Sequence, residues 1–185
     1  MLAATPYLRV ILTKRCPLRC PYCHGEGQAR RARVEEMGHD MLVGLLDVGV
    51  ELGVRKLKLL GGEPLSRADL PLVVGDLRAS HPTLDLSLIT AGVAPLERMA
   101  ACFDAGLSRA NLSIHGFGLE AFMARSGSGR SAWERRGAML ELLRREGRFL
   151  KLNYVYRGRG DDADLAALLD AAASWEVVVN VLDEL

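Results

Sequence analysis

Aromatic residues are scarce in this 185-residue chain, where Phe, Trp and Tyr together make 5% of the sequence. Lysine is confined to Lys14, Lys56, Lys58 and Lys151, so nearly all the basic charge is arginine. The formal net charge of +1 gives no basis for expecting a nucleic-acid or membrane-surface partner. No apolar run is long enough to span a bilayer. The N-terminal stretch "MLAATPYLRV" lacks a charged start followed by an apolar segment, so no secretory signal is expected. Cysteine is limited to Cys16, Cys20, Cys23 and Cys102, and three of these fall within eight positions. Such clustering does not suit a disulfide framework. It points to metal ligation in a reducing compartment, with the cytoplasm as the expected location.

What is present is ordinary globular composition, 49% hydrophobic and 25% charged, on a chain long enough to bury its own core. A single domain over residues 1–185 is expected. Short β-rich runs are predicted at Tyr7–Thr13, Lys56–Leu60, Leu84–Thr90, Ala110–His115, Phe149–Tyr156 and Val177–Leu182. Between them, five stretches carry apolar residues at helical spacing: "VEEMGHDMLVGLLDVGVELG", "DLPLVVGDLRAS", "PLERMAACFDAG", "SAWERRGAMLELLRREG" and "DDADLAALLDAAASW". Asp69 is a candidate N-cap, and Gly106 and Gly147 are candidate helix stops. "RSGSGRS", Arg125–Ser131, reads as the most flexible segment. Strands alternating with helices predict an α/β fold of parallel units joined right-handedly. Because the strands follow without a swap, a six-stranded partial (βα)6 TIM barrel is favoured over an open doubly wound sheet. A sixth helix after the last strand is expected to be missing or very short. The working loops of such a barrel lie at the C-terminal ends of its strands. The cysteine loop, "GGEP", "TAG" and "SIHG" all fall there.

Cys16, Cys20 and Cys23 are spaced C-x3-C-x2-C. Thiolates suit iron–sulfur clusters, zinc or copper(I). A [4Fe–4S] cube with only three cysteines leaves one iron open to an exogenous ligand. A Cys3His zinc site using His24 is the competing reading of the same run. Cys102 lies on an apolar helical stripe and reads as a small core residue.

"CPLRCPYC" resembles the signature of the radical S-adenosylmethionine (radical SAM) enzymes, including an aromatic residue, Tyr22, before the last cysteine. The resemblance implies a [4Fe–4S] cluster on Cys16, Cys20 and Cys23 whose open iron chelates SAM. Reductive cleavage then yields methionine and a 5′-deoxyadenosyl radical that abstracts hydrogen from substrate. It also implies that Tyr22 lies near the adenine. "LLGGEPLSR" resembles the family's GGE motif, which implies that Gly61, Gly62 and Glu63 hold the SAM amino group while Pro64 shapes the turn. Glycines after a buried strand also let the backbone approach a ligand closely. "YLRVILTKRCPLRCPYC", "NLSIHG", "FLKLNYVYRGRGDDADL" and "VNVLDEL" are similar to the molybdenum-cofactor GTP 3′,8-cyclase (MoaA-like) branch. On that resemblance Ser113 and Asn153 contact the SAM ribose or carboxylate, and Thr90 belongs to a T-N-G-like turn in which Ala91 replaces Asn. Arg125 stands where relatives often carry a basic residue near SAM.

His115, at the end of the fourth predicted strand, either faces the cavity as a proton donor or caps a turn. Arg30–Arg33 reads as a solvated connection that would also be placed to contact a reductase, and Trp133 and Trp175 read as packing residues. The implied partners are an electron donor of flavodoxin or ferredoxin type and a small-molecule, nucleotide or peptide substrate, with no nucleic acid and no membrane. GTP cyclases carry a C-terminal extension with a second three-cysteine cluster, and this sequence has no second trio. The expectation is therefore a SAM-handling core with an unidentified substrate. "PYCHGEG" also resembles glycyl-radical-enzyme activating enzymes, and a non-catalytic iron–sulfur or zinc module is the alternative of a different class.

Overall fold

The computed structural model describes residues 7–23, 36–147 and 150–183. His24, Arg30–Arg33 and the first residues of the first predicted helix lie outside them. The strands are β1 (Tyr7–Ile11), β2 (Lys56–Leu60), β3 (Asp85–Thr90), β4 (Arg109–Ile114), β5 (Leu150–Tyr156) and β6 (Val178–Asp183). They form one parallel sheet in the order β1-β2-β3-β4-β5-β6, with β1 and β6 at its open edges. The helices are α1 (His39–Glu51), α2 (Leu70–Ser80), α3 (Leu96–Asp104), α4 (Leu119–Ser126), α5 (Arg130–Arg145) and α6 (Asp162–Ser174). This is the partial (βα)6 barrel that the sequence predicts.

Alternation along each strand explains the layering, because successive side chains point to opposite faces of a sheet. Leu57 and Leu59 of β2, Leu86 and Leu88 of β3, Ala110 and Leu112 of β4, and Leu152 and Tyr154 of β5 are buried against the helices. The helices answer with stripes at three- and four-residue steps: Leu42 and Leu46 on α1, then Leu70, Val73, Val74 and Leu77 on α2. Each fully buried leucine contributes about 2 kcal/mol. Cys102 on α3 joins this core with no exposed surface, as its stripe position predicts.

Two local expectations are corrected. The β4–β5 connection holds two helices where one is predicted, and α4 ends at Ser126, inside the segment expected to be flexible. Gly127, at φ 60°, takes the left-handed C-cap position, and Gly129 starts α5. The glycines therefore serve a tight helix–helix junction, which composition alone does not distinguish from a loose loop. Asp69 does precede α2, but its side chain caps nothing there. Its carboxylate instead pairs with Arg67 through Nε–Oδ1 and Nη2–Oδ2, both 2.8 Å.

Candidate active site

The cysteine loop leaves β1 and is fastened to the exit of β2 by three backbone hydrogen bonds. Leu12 N donates to Leu60 O, Gly62 N to Thr13 O and Glu63 N to Arg15 O, each at 2.8 Å. A Cβ at Gly62 would lie 2.4 Å from Arg15 O, and one at Gly61, where φ is +154°, would lie 2.5 Å from Thr13 O. These glycines are required because the cysteine loop lies directly on them. On its other side Arg19 N donates to Ser126 O at 2.7 Å. A second small core of Leu18, Cys20, Ala91, Val93, Phe122 and Ala132 packs beneath, with Cys16, Tyr22, Cys23 and Trp133 against it. Helix α4, absent from the sequence reading, thus supplies Phe122 and Ser126 to hold the thiol loop.

Cys16, Cys20 and Cys23 line one cavity of about 270 Å³ at the C-terminal ends of the strands. Tyr22, Gly61, Gly62, Thr90, Ser113 and Asn153 line it too, as does His115. These residues come from the loop after β1, the exits of β2 to β4 and the middle of β5, and are up to about 140 positions apart in sequence.

Glu63 and Pro64 lie behind the cavity wall rather than among its lining residues. Glu63 has no exposed surface and is not among the cavity's lining residues. Its carboxylate accepts from Leu65 N at 3.1 Å, Thr90 Oγ1 at 2.8 Å and Ala91 N at 2.8 Å. Burial raises its pKa above the ordinary 4.5. The residue braces the β2 exit against the β3 exit. Pro64 is buried at the start of a 3-10 turn. Arg125 is 1% exposed and absent from the lining, although its charge reaches Cys20, Tyr22 and His115. Its guanidinium donates to Tyr154 Oη at 2.6 Å and to Val155 O, and pairs with Asp161 at 3.1 Å. It ties α4 to β5.

Burial pushes the Cys16 thiol up to about 11, so the metal-free loop holds it protonated and iron ligation would release that proton. Burial, with Arg136 and Arg125 nearby, pushes His115 down to about 4, so its imidazole is neutral at pH 7. Arg136 is itself buried, donating to Gly116 O at 2.6 Å and Phe117 O at 3.0 Å. The neighbouring face of the sheet carries a feature the sequence reading missed. Arg9 and Lys58 are register partners on β1 and β2. By alternation Lys56, Lys58 and Lys151 share the concave face with Arg9, which lines the cavity. The signal was available as lysines alternating with leucines in "KLKLL" and "LKLN".

The donor set fits an iron–sulfur cube. Three thiolates on a cube bind three different irons, so they stand farther apart than ligands around one ion. Among the described residues no three Cys, His, Asp or Glu side chains converge on a single-ion site, while the three thiols share one cavity wall. The description of the radical SAM superfamily matches residues 10–172.

The chain belongs to the radical SAM superfamily. Enzymes of this family use a [4Fe–4S] cluster and SAM. GTP 3′,8-cyclase of Pseudomonas putida (strain W619) is 35% identical over 182 residues, 97% of this chain and 53% of that protein. GTP 3′,8-cyclase of Paenarthrobacter nicotinovorans is 40% identical over 117 residues, 62% of this chain and 33% of that protein. The radical SAM chain thus spans about half the length, or less, of these curated relatives. Streptococcus suis SuiB bound to S-adenosylmethionine shares the fold at a TM-score of 0.82 and 15% identity, over 97% of this chain and 41% of that one. No helix among the described residues is long and apolar enough to cross a membrane.

Proposed function

We propose that the chain forms one radical SAM core in which Cys16, Cys20 and Cys23 hold a [4Fe–4S] cluster beside SAM. Tyr22, the Gly61–Gly62 turn, Thr90, Ser113 and Asn153 form the SAM-facing wall. When bound, the cluster and SAM supply one-electron cleavage and hydrogen-atom abstraction. The protein's own part is placement and exclusion of water. Packing around Leu18 and Phe122 fixes the thiol loop, and buried Glu63 and Arg125 hold the strand ends that carry the wall. The observation that supports this most directly is the convergence of three thiols and four strand ends on one cavity.

The substrate proposed is an anionic small molecule of the nucleoside polyphosphate class. Arg9, Lys58 and Lys151 form a concave cationic face next to the cavity, and the curated relatives named above are GTP 3′,8-cyclases. The test has two arms. Oxygen-free reconstitution with iron, sulfide, dithionite and SAM should release 5′-deoxyadenosine, and zinc in place of iron with no release would overturn the radical reading. Titration with GTP should show affinity falling with salt and about tenfold lower in Lys58→Ala, the expected loss for one charge-assisted contact. Binding of an acidic peptide but no nucleotide would move the substrate to the peptide class.

A further inference from the structure

His115 has no role in the reading above beyond lining the cavity, yet its contacts are specific. It follows the last residue of β4, and the chain turns sharply behind it. Gly116 has φ 123°, and a Cβ there would lie 2.4 Å from Ala121 C and Phe122 N. Gly116 O accepts from buried Arg136 Nη1 at 2.6 Å. The backbone that carries the imidazole is thus clamped between α4 and α5. Toward the site, Nδ1 is hydrogen-bonded to the Tyr22 hydroxyl and lies 3.6 Å from Cys20 Sγ. The two rings are stacked at 26° with centroids 6.1 Å apart. Tyr22 and Cys20 belong to the thiol loop, 93 and 95 positions away in sequence.

We propose that His115 is a positioning residue that latches the thiol loop to the end of β4 through its Nδ1–Tyr22 hydrogen bond, fixing the aromatic wall before the cofactors bind. In the tautomer that carries the ring proton on Nε2, Nδ1 accepts from the Tyr22 hydroxyl, and this is the form the latch uses. A latch of this kind lowers the ordering cost of binding, because the loop no longer has to be immobilised by the ligand.

The inference rests on the radical SAM site but is tested first without its cofactors. Hydrogen–deuterium exchange of the cysteine-loop peptide in the metal-free full chain should speed up roughly fivefold in His115→Ala, as expected for loss of one buried hydrogen bond. Tyr22→Phe should do the same, and the double variant should add nothing further. His115→Asn, whose Oδ1 replaces Nδ1 as acceptor, should restore protection, whereas His115→Gln should not. On reconstituted protein with unchanged iron content, the Kd for SAM should rise in the same order across the series. Additive single effects, or equal behaviour of the Asn and Gln variants, would overturn the latch. Weaker SAM binding with unaltered exchange would also overturn it, since His115 would then act on SAM directly. The exchange arm uses no cluster, so its outcome is independent of the radical assignment.

Discussion

Replacing Gly62 by Ala tests whether the two strand-exit glycines serve the protein or the ligand. The added Cβ would sit 2.4 Å from Arg15 O, 2.8 Å from Arg15 C and 3.0 Å from Cys16 Cβ. Contacts below 3.0 Å are not sustained, so the carbonyl must retreat by more than half an ångström. It cannot do so freely, because the same oxygen accepts from Glu63 N and the adjoining Thr13 O accepts from Gly62 N, both at 2.8 Å. Overpacking against backbone costs about 1–3 kcal/mol, and each strained hydrogen bond adds roughly 1 kcal/mol. A loss of about 3–5 kcal/mol follows, which lowers Tm by roughly 10–15 °C in a chain of this size. Gly137→Ala is the matched control. It lies within α5 with nothing within 4 Å of its added Cβ, so it should stabilise by about 0.5–1 kcal/mol. Thermal melts of the metal-free proteins measure both, and iron content after reconstitution shows whether the displaced loop still binds the cluster. Unchanged melting and full iron loading in Gly62→Ala would refute the reasoning, because the thiol loop would then not rest on that glycine.

Glu63→Ala should cost about 2–4 kcal/mol in chemical denaturation, since Leu65 N, Thr90 Oγ1 and Ala91 N lose a buried acceptor. The Glu63 pKa is raised on folding, so its contribution is fully present below the ordinary 4.5 and declines as pH rises through the folded value. The stability of the wild type relative to Glu63→Gln should accordingly fall as pH is raised above 4.5; a rise would reverse the assignment. Cys20→Ala should abolish iron–sulfur absorbance and SAM cleavage, whereas Cys102→Ala, in the core of α3, should retain both at a cost of about 1 kcal/mol. Loss of the cluster in Cys102→Ala would show that the ligand set is misassigned. Arg125→Met should lower Tm through loss of its bonds to Tyr154, Val155 and Asp161, although Tyr154 keeps Asp164 and Asp161 keeps Arg157 as partners.

The strands were legible almost residue for residue. Lys56–Leu60 is observed as predicted, and the other boundaries shift by one or two positions. The reason is that a parallel strand covered by helices on one face writes that face into the sequence as alternating leucines. Helix α4 was not legible. Its eight residues make little more than two turns, too short a window for a 3.6-residue period to stand out, and the glycines after it look the same whether they end a helix or loosen a loop. The cysteine trio was legible because its spacing is local. The work of Glu63 was not, since its partners Thr90 and Ala91 belong to the next strand exit and nothing in "GGEP" names them. Net charge was equally silent on placement. A total of +1 conceals a concave face on which Lys56, Lys58, Lys151 and Arg9 are gathered.

The sequence by itself determined the alternation of strands and helices, the thiol spacing and hence the family, because each is written in residues near one another. Only the tertiary structure decided what those residues touch. It showed that the glycines support the thiol loop, that Glu63 and Arg125 brace strand ends, and that His115 meets Tyr22 and Cys20 from across the sheet. The physical reason is that periodicity and motif spacing record how a chain meets its own neighbours. A hydrogen bond spanning 93 positions exists only once parallel strands have brought their ends together.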